Sequence, residues 1–141
     1  MSLEGEIEWI KKINREKKEE IWSIYAKENN KLIGNVGVHA LDNPDRFYIV
    51  GIIIGEKNYW GKGYGYDAFQ TIVKYAFEKK KANQLVLDVC TENKTALRIY
   101  EKCSFKITRT FRKFWEREGK EYDCYEMKLP NPLCFPENPA A

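Results

Sequence analysis

A glycine-rich stretch is the first feature of this sequence that could do chemistry. Residues 59–65 read YWGKGYG and lie between the apolar run FYIVGIIIG (47–55) and a segment (63–80) whose apolar residues recur at helical spacing. A glycine loop that enters a helix leaves backbone N–H groups unpaired at the positive end of the helix dipole. Its glycines would also let a phosphate group approach the backbone without meeting a Cβ atom. The stretch therefore predicts an anion site, although a purely structural turn would use the same residues.

The loop does not match the common nucleotide-binding motifs. The P-loop pattern, GxxxxGK followed by Ser or Thr, is absent from the sequence. The dinucleotide fingerprint GxGxxG also fails, because Tyr66 stands where the third glycine would be, and no acidic residue is apparent at the end of the next strand to bind a ribose. The anion site is therefore not assigned to either class.

Thiol and metal chemistry are not predicted. The four cysteines show no CxxC pairing, and His39 is the only histidine, so neither a metal site nor a redox dithiol is expected. No charged-then-apolar leader opens the chain, and no apolar stretch approaches the ~18 residues that a membrane span needs. We therefore expect a cytoplasmic protein with no membrane partner, whose cysteines are mainly small apolar core residues.

Length and charge narrow the class further. The chain has 141 residues, 43% apolar and 14% aromatic, which predicts one packed domain (1–128) followed by a proline-rich tail (129–141). The formal net charge of +3 arises from 24 basic and 21 acidic side chains, and the lysine runs are interleaved with glutamates. A nucleic-acid partner is therefore not expected, since such proteins carry a clustered basic surface.

The order of predicted elements indicates an α+β fold. The run at 47–55 is apolar enough for a strand buried on both faces, with Gly51 marking a bulge or a close backbone approach. The strand at 84–90 should lie parallel to it, because a helix separates them. The full set is an amphipathic helix (4–18), a hairpin (21–27 and 31–40), a strand (47–55), a helix (63–80), a strand (84–90), a short helix within 91–105 and a closing hairpin (106–117 and 120–129).

Two motifs in the right order resemble the GNAT superfamily of acetyl-CoA-dependent N-acetyltransferases, and most closely its ribosomal-protein N-terminal branch. The stretch YWGKGYG resembles the acyl-CoA motif of that family, with Gly63 and Gly65 matching and Trp60 at its first place. The stretch ENKTALRIYEKCSF resembles the later family block around Asn93, Ala96 and Tyr100. The resemblance covers about residues 4–128. It implies a GNAT-like fold whose mainly antiparallel sheet has splayed central strands.

The resemblance also implies acetyl-CoA as cosubstrate and a set of residues that bind it. The glycine-loop backbone would hold the pyrophosphate, with charge added by Lys62, and the pantetheine would lie along the strand at 52–54, where one N–H polarises the thioester carbonyl. Asn93 matches a residue near the pantetheine and the acceptor. The implied cofactor-binding residues are Ile52, Ile53, Ile54, Trp60, Gly61, Lys62, Gly63, Tyr64, Gly65, Asn93 and Ala96.

In such a site a neutral amine attacks the thioester directly, and Tyr100 matches the general acid that protonates the leaving thiolate. A packing role for Tyr100 remains the simpler alternative. Many relatives carry a glutamate base where this chain has Ile49. His39, Glu56 and water are therefore open alternatives for the base, and His39 is taken as the catalytic candidate.

Further departures from the family concern Ser104 and the start of the chain. Ser104 replaces a family glycine and could alter a turn. The resemblance implies that the usual first strand and first helix are absent from this sequence, and the exposed sheet edge expected from this would favour a homodimer. The acceptor remains open among a protein N-terminus, an antibiotic, a polyamine and a small amino compound. The alternative to an enzyme is a catalytically impaired acetyl-CoA-binding regulatory module.

Overall fold

The structure is a computed structural model that describes residues 18–132. The predicted order of three strands, a helix, a strand, a helix and a closing hairpin is confirmed, whereas the helix predicted at 4–18 falls almost wholly outside the described residues. The elements are β1 (Glu20–Ala26), β2 (Lys31–His39), β3 (Phe47–Ile54), a short 3-10 helix (Lys57–Tyr59), α1 (Tyr64–Glu78), β4 (Gln84–Cys90), α2 (Lys94–Lys102), β5 (Lys106–Arg117) and β6 (Lys120–Pro130).

The described strands form one six-stranded sheet in the order β1-β2-β3-β4-β6-β5. Neighbouring strands are antiparallel except β3 and β4, which run parallel because α1 connects them as a crossover. The predicted α+β class, with one parallel step in a mainly antiparallel sheet, is therefore confirmed.

The parallel pair comes apart after a short ladder. Pairing joins Phe47 to Gln84 and ends with Ile49 opposite Val86. Beyond that point β3 continues to Ile54 and β4 continues to Cys90 with no ladder between them. The expected splaying of the central strands is confirmed, and it opens a gap in the middle of the sheet.

Both helices pack on one face of the sheet. Phe69, Ile72 and Ala76 recur at helical spacing along α1 and are buried against the strands. Tyr100 of α2 joins them, with its ring centroid 4.9 Å from that of Phe69. Burying an apolar side chain of this size stabilises the fold by about 1.5–3 kcal/mol. This aromatic core fixes α2, and with it Tyr100, beside the gap.

The prediction that β3 is buried on both faces is wrong. Tyr48 and Val50 are buried under the helices, whereas the alternate residues Phe47, Ile49 and Ile53 are 40%, 45% and 64% exposed. A strand places successive side chains on opposite faces, and in the described part of the chain the helices cover one of them. The apolar run therefore contributes to the border of a cleft as well as to the core.

The bulge predicted at Gly51 is also not found. The β2–β3 register runs unbroken through Val38↔Val50, Gly37↔Gly51 and Val36↔Ile52. A Cβ atom at position 51 would have nothing within 4 Å, so no close backbone approach occurs there either. The close approach is at Gly34, where a Cβ would overlap the carbonyl oxygen of Ile53.

The closing strand ends one residue later than predicted. Leu129, predicted as the strand end and as the first residue of the tail, pairs with Leu85, and Pro130 pairs with Gln84. The Asn131 side chain then donates a 2.8 Å hydrogen bond to the Ala82 carbonyl and ties this end to the sheet. Residues 133–141 lie outside the described part. No helix within residues 18–132 is long and apolar enough to cross a membrane, and the cytoplasmic location stays a prediction.

Ser104 lies in the turn that follows α2. Its φ of 73° is in the left-handed region that favours glycine. Its backbone N–H bonds to the Glu101 carbonyl at 3.0 Å, and the Phe105 N–H bonds to the Tyr100 carbonyl at the same distance. The turn therefore forms despite the substitution, with a serine in a conformation that costs backbone strain.

Candidate active site

A cavity of about 380 Å³ lies where β3 and β4 diverge. Its volume is in the range of small-molecule binding sites. Four polar side chains line it together with apolar side chains and glycines. The cavity could therefore enclose a ligand and also offers groups that can transfer protons or orient that ligand. The lining comprises Ile21, Asn35, Gly37, His39, Val50, Gly51, Ile52, Ile53, Asp88 and Tyr100.

The glycine loop adopts a backbone that requires glycine at two positions. Gly61 has φ 75° and Gly63 has φ 88°, both in the left-handed region. A Cβ atom at either position would have no other group within 4 Å. The backbone here is therefore open to a ligand, which is the condition that the predicted phosphate site needs.

Gly65 is required for a different reason. It is buried, and a Cβ there would lie 3.0 Å from Cδ1 of Ile99 and 3.4 Å from Cδ1 of Ile54. A side chain at this position would therefore have to displace the Ile99 side chain of α2, and glycine lets the start of α1 approach α2 and β3 without that shift. Of the three glycines predicted to bind phosphate, two shape the turn and the third lets the helices pack.

The N-terminus of α1 faces the loop without a side-chain cap. Gly63 occupies the N-cap position, where serine, threonine or aspartate would otherwise accept a hydrogen bond from the first turn. The helix runs for 15 residues, so its dipole places partial positive charge at this end. Lys62 adds a full positive charge nearby, with Nζ 5.5 Å from the centroid of the Tyr59 ring. The electrostatics of the loop thus suit an anion.

Hydrogen bonds from the β1–β2 turn hold the two ends of the loop. Asn29 donates through Nδ2 to the Tyr59 hydroxyl at 2.8 Å, and the Tyr64 hydroxyl donates to Glu28 at 3.3 Å. Partial burial, and then the nearby Glu28 carboxylate, raise the pKa of Tyr64. Sequence reasoning missed Asn29, because a turn residue gives no sign of a contact 30 positions away.

The end of β3 connects the loop to the cavity. Of the three residues predicted to lie along the pantetheine, Ile52 and Ile53 border the cavity, whereas Ile54 does not. The Ile54 carbonyl instead accepts a 2.8 Å hydrogen bond from Nε1 of Trp60, whose side chain is 51% exposed. The Trp60 side chain is therefore hydrogen-bonded to the backbone at the end of β3.

Tyr100 lies at the inner wall of the cavity. Its side chain is 6% exposed and packs against Phe69 and Phe105. Burial raises the pKa of the phenol to about 12. Tyr100 therefore packs in the core and also lines the cavity, and its phenol stays protonated at neutral pH, whereas its catalytic role stays a prediction.

Among the candidate bases, the structure brings His39 to the cavity but not Glu56. His39 ends β2 opposite Ile49, and its Nδ1 lies 3.2 Å from Oε1 of Glu19, which orients the ring. Glu56 pairs instead with Lys31 at 3.5 Å and does not line the cavity. Ile49 is 45% exposed and offers no proton-accepting group.

Asn93 and Ala96 lie together at the start of α2. Asn93 is the N-cap, and its Oδ1 accepts a 3.2 Å hydrogen bond from the Ala96 N–H. This contact accounts for the asparagine as a helix cap, since an N-cap side chain accepts from a backbone N–H two or three positions on. Neither residue is among those that line the cavity.

Sequence reasoning missed two polar residues of the cavity, Asn35 of β2 and Asp88 of β4. Asp88 lies with Leu87 and Val89 buried on the opposite face of the strand. Partial burial and the carboxylate of Glu126 raise the pKa of Asp88. The available signal was a charged residue inside the otherwise apolar strand LVLDVC. Within residues 18–132, no group of three or more His, Cys, Asp or Glu side chains could hold a metal ion.

The sequence is similar to proteins whose family is known. The sequence profile described as "Acetyltransferase (GNAT) domain" matches residues 1–106. An uncharacterized N-acetyltransferase of Bacillus licheniformis is 27% identical over 123 residues, which cover 87% of this chain and 68% of that protein. The uncharacterized N-acetyltransferase YoaA of Bacillus subtilis is 27% identical over 112 residues, covering 79% of this chain and 62% of its own length. The chain thus spans less than two thirds of the second relative.

Solved structures share the fold. The Vibrio cholerae spermidine N-acetyltransferase in complex with CoA and spermine superposes with a TM-score of 0.80 at 22% identity, covering 93% of this chain and 76% of that one. A dodecameric structure of spermidine N-acetyltransferase from the same organism gives 0.80 at 21% identity, covering 96% and 78%. The ribosomal-protein branch is not shown by these comparisons. Because the profile match spans most of the chain, including the glycine loop, the splayed strands and Tyr100, the chain belongs to the GNAT acetyltransferase family.

Proposed function

We propose that the protein is an acetyl-CoA-dependent N-acetyltransferase that moves the acetyl group to a primary amine by direct attack in a ternary complex. The observation that carries this proposal is the cavity where β3 and β4 diverge, which is lined by Tyr100 and by residues 50–53 of β3, the strand that leads to the glycine loop. A thioester bound along that path would have its anionic end at the loop and its reacting end beside Tyr100.

In this proposal the glycine loop holds the CoA pyrophosphate. The backbone N–H groups from Gly61 to Gly65 and the uncapped start of α1 would donate to the phosphates, and Lys62 would add charge. Trp60 and Tyr64 would flank the same anion. The open space at Gly61 and Gly63 supports this placement, because any Cβ atom there would occupy the volume that a phosphate needs.

The pantetheine would run along the unpaired edge of β3. Ile52 and Ile53 border the cavity beyond the last β3–β4 pair, where backbone groups on that edge have no ladder partner in the described chain. One N–H of this stretch would polarise the thioester carbonyl, as an oxyanion-hole donor does. Ile54 would contribute less to pantetheine binding, because its carbonyl already accepts a hydrogen bond from the Trp60 side chain. Asn93 and Ala96 would border the pantetheine from the start of α2.

The chemical step needs a neutral amine and a proton for the departing sulfur. The amine nitrogen attacks the carbonyl carbon, a C–N bond forms and the C–S bond breaks. Tyr100 gives its proton to the thiolate and regains one from the nitrogen that has become an amide. The cationic amine must first lose a proton to a base on the cavity wall or to water, and His39 is the base candidate that the sequence predicts.

The acceptor is proposed at the level of a primary amine. The solved neighbours are described as spermidine N-acetyltransferases, one of them with spermine bound, which favours a small polyamine. The resemblance to the ribosomal-protein branch favours a protein N-terminus. A panel of polyamines, aminoglycosides, small amines and peptides, assayed for CoA thiol release, distinguishes these classes.

The experiment that tests the proposal combines binding with turnover. Acetyl-CoA and CoA should raise the melting temperature, because both bind only the folded state. Thiol release should follow when an effective amine is added. A catalytically impaired binding module would show the thermal shift with no thiol release for any amine. The absence of any shift at millimolar CoA would contradict the cofactor site itself.

A charge reversal in the loop sharpens the test. Gly63→Glu places bulk and negative charge where the pyrophosphate is proposed to lie, so it should abolish the CoA-induced shift. Gly119→Glu is the matched control, since Gly119 also has a left-handed φ (78°) and open space but lies in the β5–β6 turn. Equal CoA affinity in the two variants would contradict the placement.

A homodimer is also proposed, with β1 as its contact. β1 forms one edge of the described sheet, and edge strands pair readily with a second chain. Light scattering after size exclusion should then give at least twice the monomer mass, and a monomer at high concentration would contradict it.

A further inference from the structure

Asp88 occupies the part of β4 that has separated from β3. The ladder between the two strands ends at Val86, and Asp88 is the next residue on the same face of the strand. Its side chain is exposed and lines the cavity, while its neighbours Leu87 and Val89 are buried on the other side. The carboxylate therefore borders the gap in which the thioester is proposed to react.

Within residues 18–132, no positively charged side chain forms an ion pair with Asp88. Glu126 lies directly opposite on β6, but it is engaged by the Thr108 hydroxyl at 2.8 Å and by Lys128 at 3.6 Å. The thiol of Cys124 is also near, and its pKa is raised by burial first and then by Cys90 and the carboxylates of Asp88 and Asp123. Asp88 itself makes no hydrogen bond or ion pair within the described residues. A carboxylate in this state gains most from a positively charged ligand.

The opposite wall of the cavity presents groups that do not compete for that ligand. Tyr100 of α2 is a neutral donor, and His39 of β2 has Nδ1 directed to Glu19. Among the lining residues in the described part of the chain, Asp88 is therefore the one that has a carboxylate. An ammonium group that enters the gap would be drawn to the β4 wall.

We infer that Asp88 binds the ammonium form of the acceptor and takes its proton, which makes Asp88 the general base that Ile49 cannot be. This inference rests on the proposed acetyltransferase function. The ammonium proton passes from nitrogen to a carboxylate oxygen of Asp88, and the freed nitrogen lone pair forms the bond to the acetyl carbon. The proton then leaves Asp88 for solvent through the open side of the cavity. Burial and Glu126 favour this transfer, because both raise the proton affinity of Asp88.

Two acceptors distinguish proton removal from a merely structural role. Spermidine is protonated at neutral pH and needs a base, whereas 2,2,2-trifluoroethylamine is largely neutral there and does not. Asp88→Asn should lower kcat/KM for spermidine by about 10²–10⁴-fold, the usual contribution of a positioned base, and should change kcat/KM for the fluorinated amine by less than about tenfold. Asp88→Glu should recover part of the spermidine activity.

Matched variants locate the effect. Glu126→Gln removes the neighbouring carboxylate, which does not line the cavity but raises the proton affinity of Asp88, so it should lower the preference for spermidine over the fluorinated amine far less than Asp88→Asn does. The CoA affinity of Asp88→Asn should equal that of the unaltered protein, since Asp88 is remote from the glycine loop in this scheme. Its melting temperature should not fall, because the change relieves repulsion from Glu126.

Several outcomes would overturn the inference. One is full spermidine activity in Asp88→Asn, and another is an equal loss with both amines. A selective loss in His39→Gln, with Asp88→Asn unaffected, would assign the proton to His39 instead. If the unaltered protein releases no thiol with any amine, the proposed function fails first, and the inference fails with it.

Discussion

Asn29 donates a 2.8 Å hydrogen bond through Nδ2 to the hydroxyl of Tyr59, a residue 30 positions away. Asn29 lies in the turn between β1 and β2, and Tyr59 is the residue that opens the glycine loop. Tyr59 is 8% exposed, and its ring contacts that of Tyr64 edge-on with the ring centroids 5.5 Å apart. The two aromatic side chains therefore bring the two ends of the loop into contact. The hairpin turn therefore positions the backbone that is proposed to bind phosphate.

The first prediction follows from this hydrogen bond. Tyr59→Phe removes the hydroxyl and keeps the ring, so the fold should persist while the loop becomes less well ordered. A hydrogen bond of this kind contributes about 0.5–1.5 kcal/mol, which corresponds to a 2–10-fold rise in the Kd of CoA. Isothermal titration measures it. Tyr25→Phe is the control, because Tyr25 is 53% exposed on β1, and an equal effect in both variants would contradict the positioning role.

The second prediction concerns Gly51. This residue lines the cavity within an unbroken β2–β3 register, and a Cβ atom there would enter open space. Gly51→Val should leave stability unchanged or raise it by about 0.5–1 kcal/mol, because valine suits a strand better than glycine. It should also narrow the cavity and raise the KM for acetyl-CoA. Urea unfolding and steady-state kinetics measure the two effects, and an unaltered KM would contradict the proposed path of the pantetheine.

The elements of the fold were predictable because local pattern determines them. Short stretches of sequence are enough to predict α1 from the helical spacing of Phe69, Ile72 and Ala76. The same is true of the strand–loop–helix order around Gly63. The face of β3 that stays exposed was not predictable, because isoleucine occurs on both faces of the strand and only the placement of the helices decides which face is covered. Apolar character alone does not report burial.

The candidate site was predictable where a motif carries it and not where chain topology does. Gly61, Gly63 and Tyr100 follow from short motifs; the structure leaves open space at the two glycines and buries the tyrosine, while their roles stay predictions. Asp88 reaches the cavity only because β4 separates from β3 two residues earlier. Asn29 reaches the loop only because the β1–β2 turn folds over it. Such contacts between distant parts of the chain leave no signal within a single stretch of sequence.

The third prediction concerns the turn after α2. Ser104 adopts φ 73°, which costs a non-glycine residue about 1–2 kcal/mol. Ser104→Gly should therefore raise the free energy of unfolding by about 1 kcal/mol, measured by urea denaturation. Ser104→Ala keeps the strain and should show no gain. An equal gain in the free energy of unfolding in both variants would mean that the serine side chain, rather than the backbone conformation, destabilises the turn.

The fourth prediction tests the chemistry of Tyr100. Tyr100→Phe removes the hydroxyl that is proposed to protonate the departing thiolate and retains the ring that packs against Phe69. We expect kcat to fall by about 10²–10⁴-fold, with CoA affinity nearly unchanged. Stopped-time thiol assays and calorimetry measure the two quantities. A variant with normal kcat would leave Tyr100 with a packing role alone.

The same variant should change the alkaline stability of the protein. Burial raises the pKa of Tyr100 from an ordinary value of about 10 to about 12, so the folded state holds its proton more tightly than the unfolded state does. The associated stability is fully present below about pH 10 and is lost as the pH rises toward about 12, by at most about 1.4 kcal/mol per pH unit. Urea unfolding of the unaltered protein and of Tyr100→Phe across this range isolates that contribution, because Tyr64 and Tyr75 ionise in both. The fall should be shallower in the phenylalanine variant, and parallel curves would show that the Tyr100 phenol is not held protonated by burial.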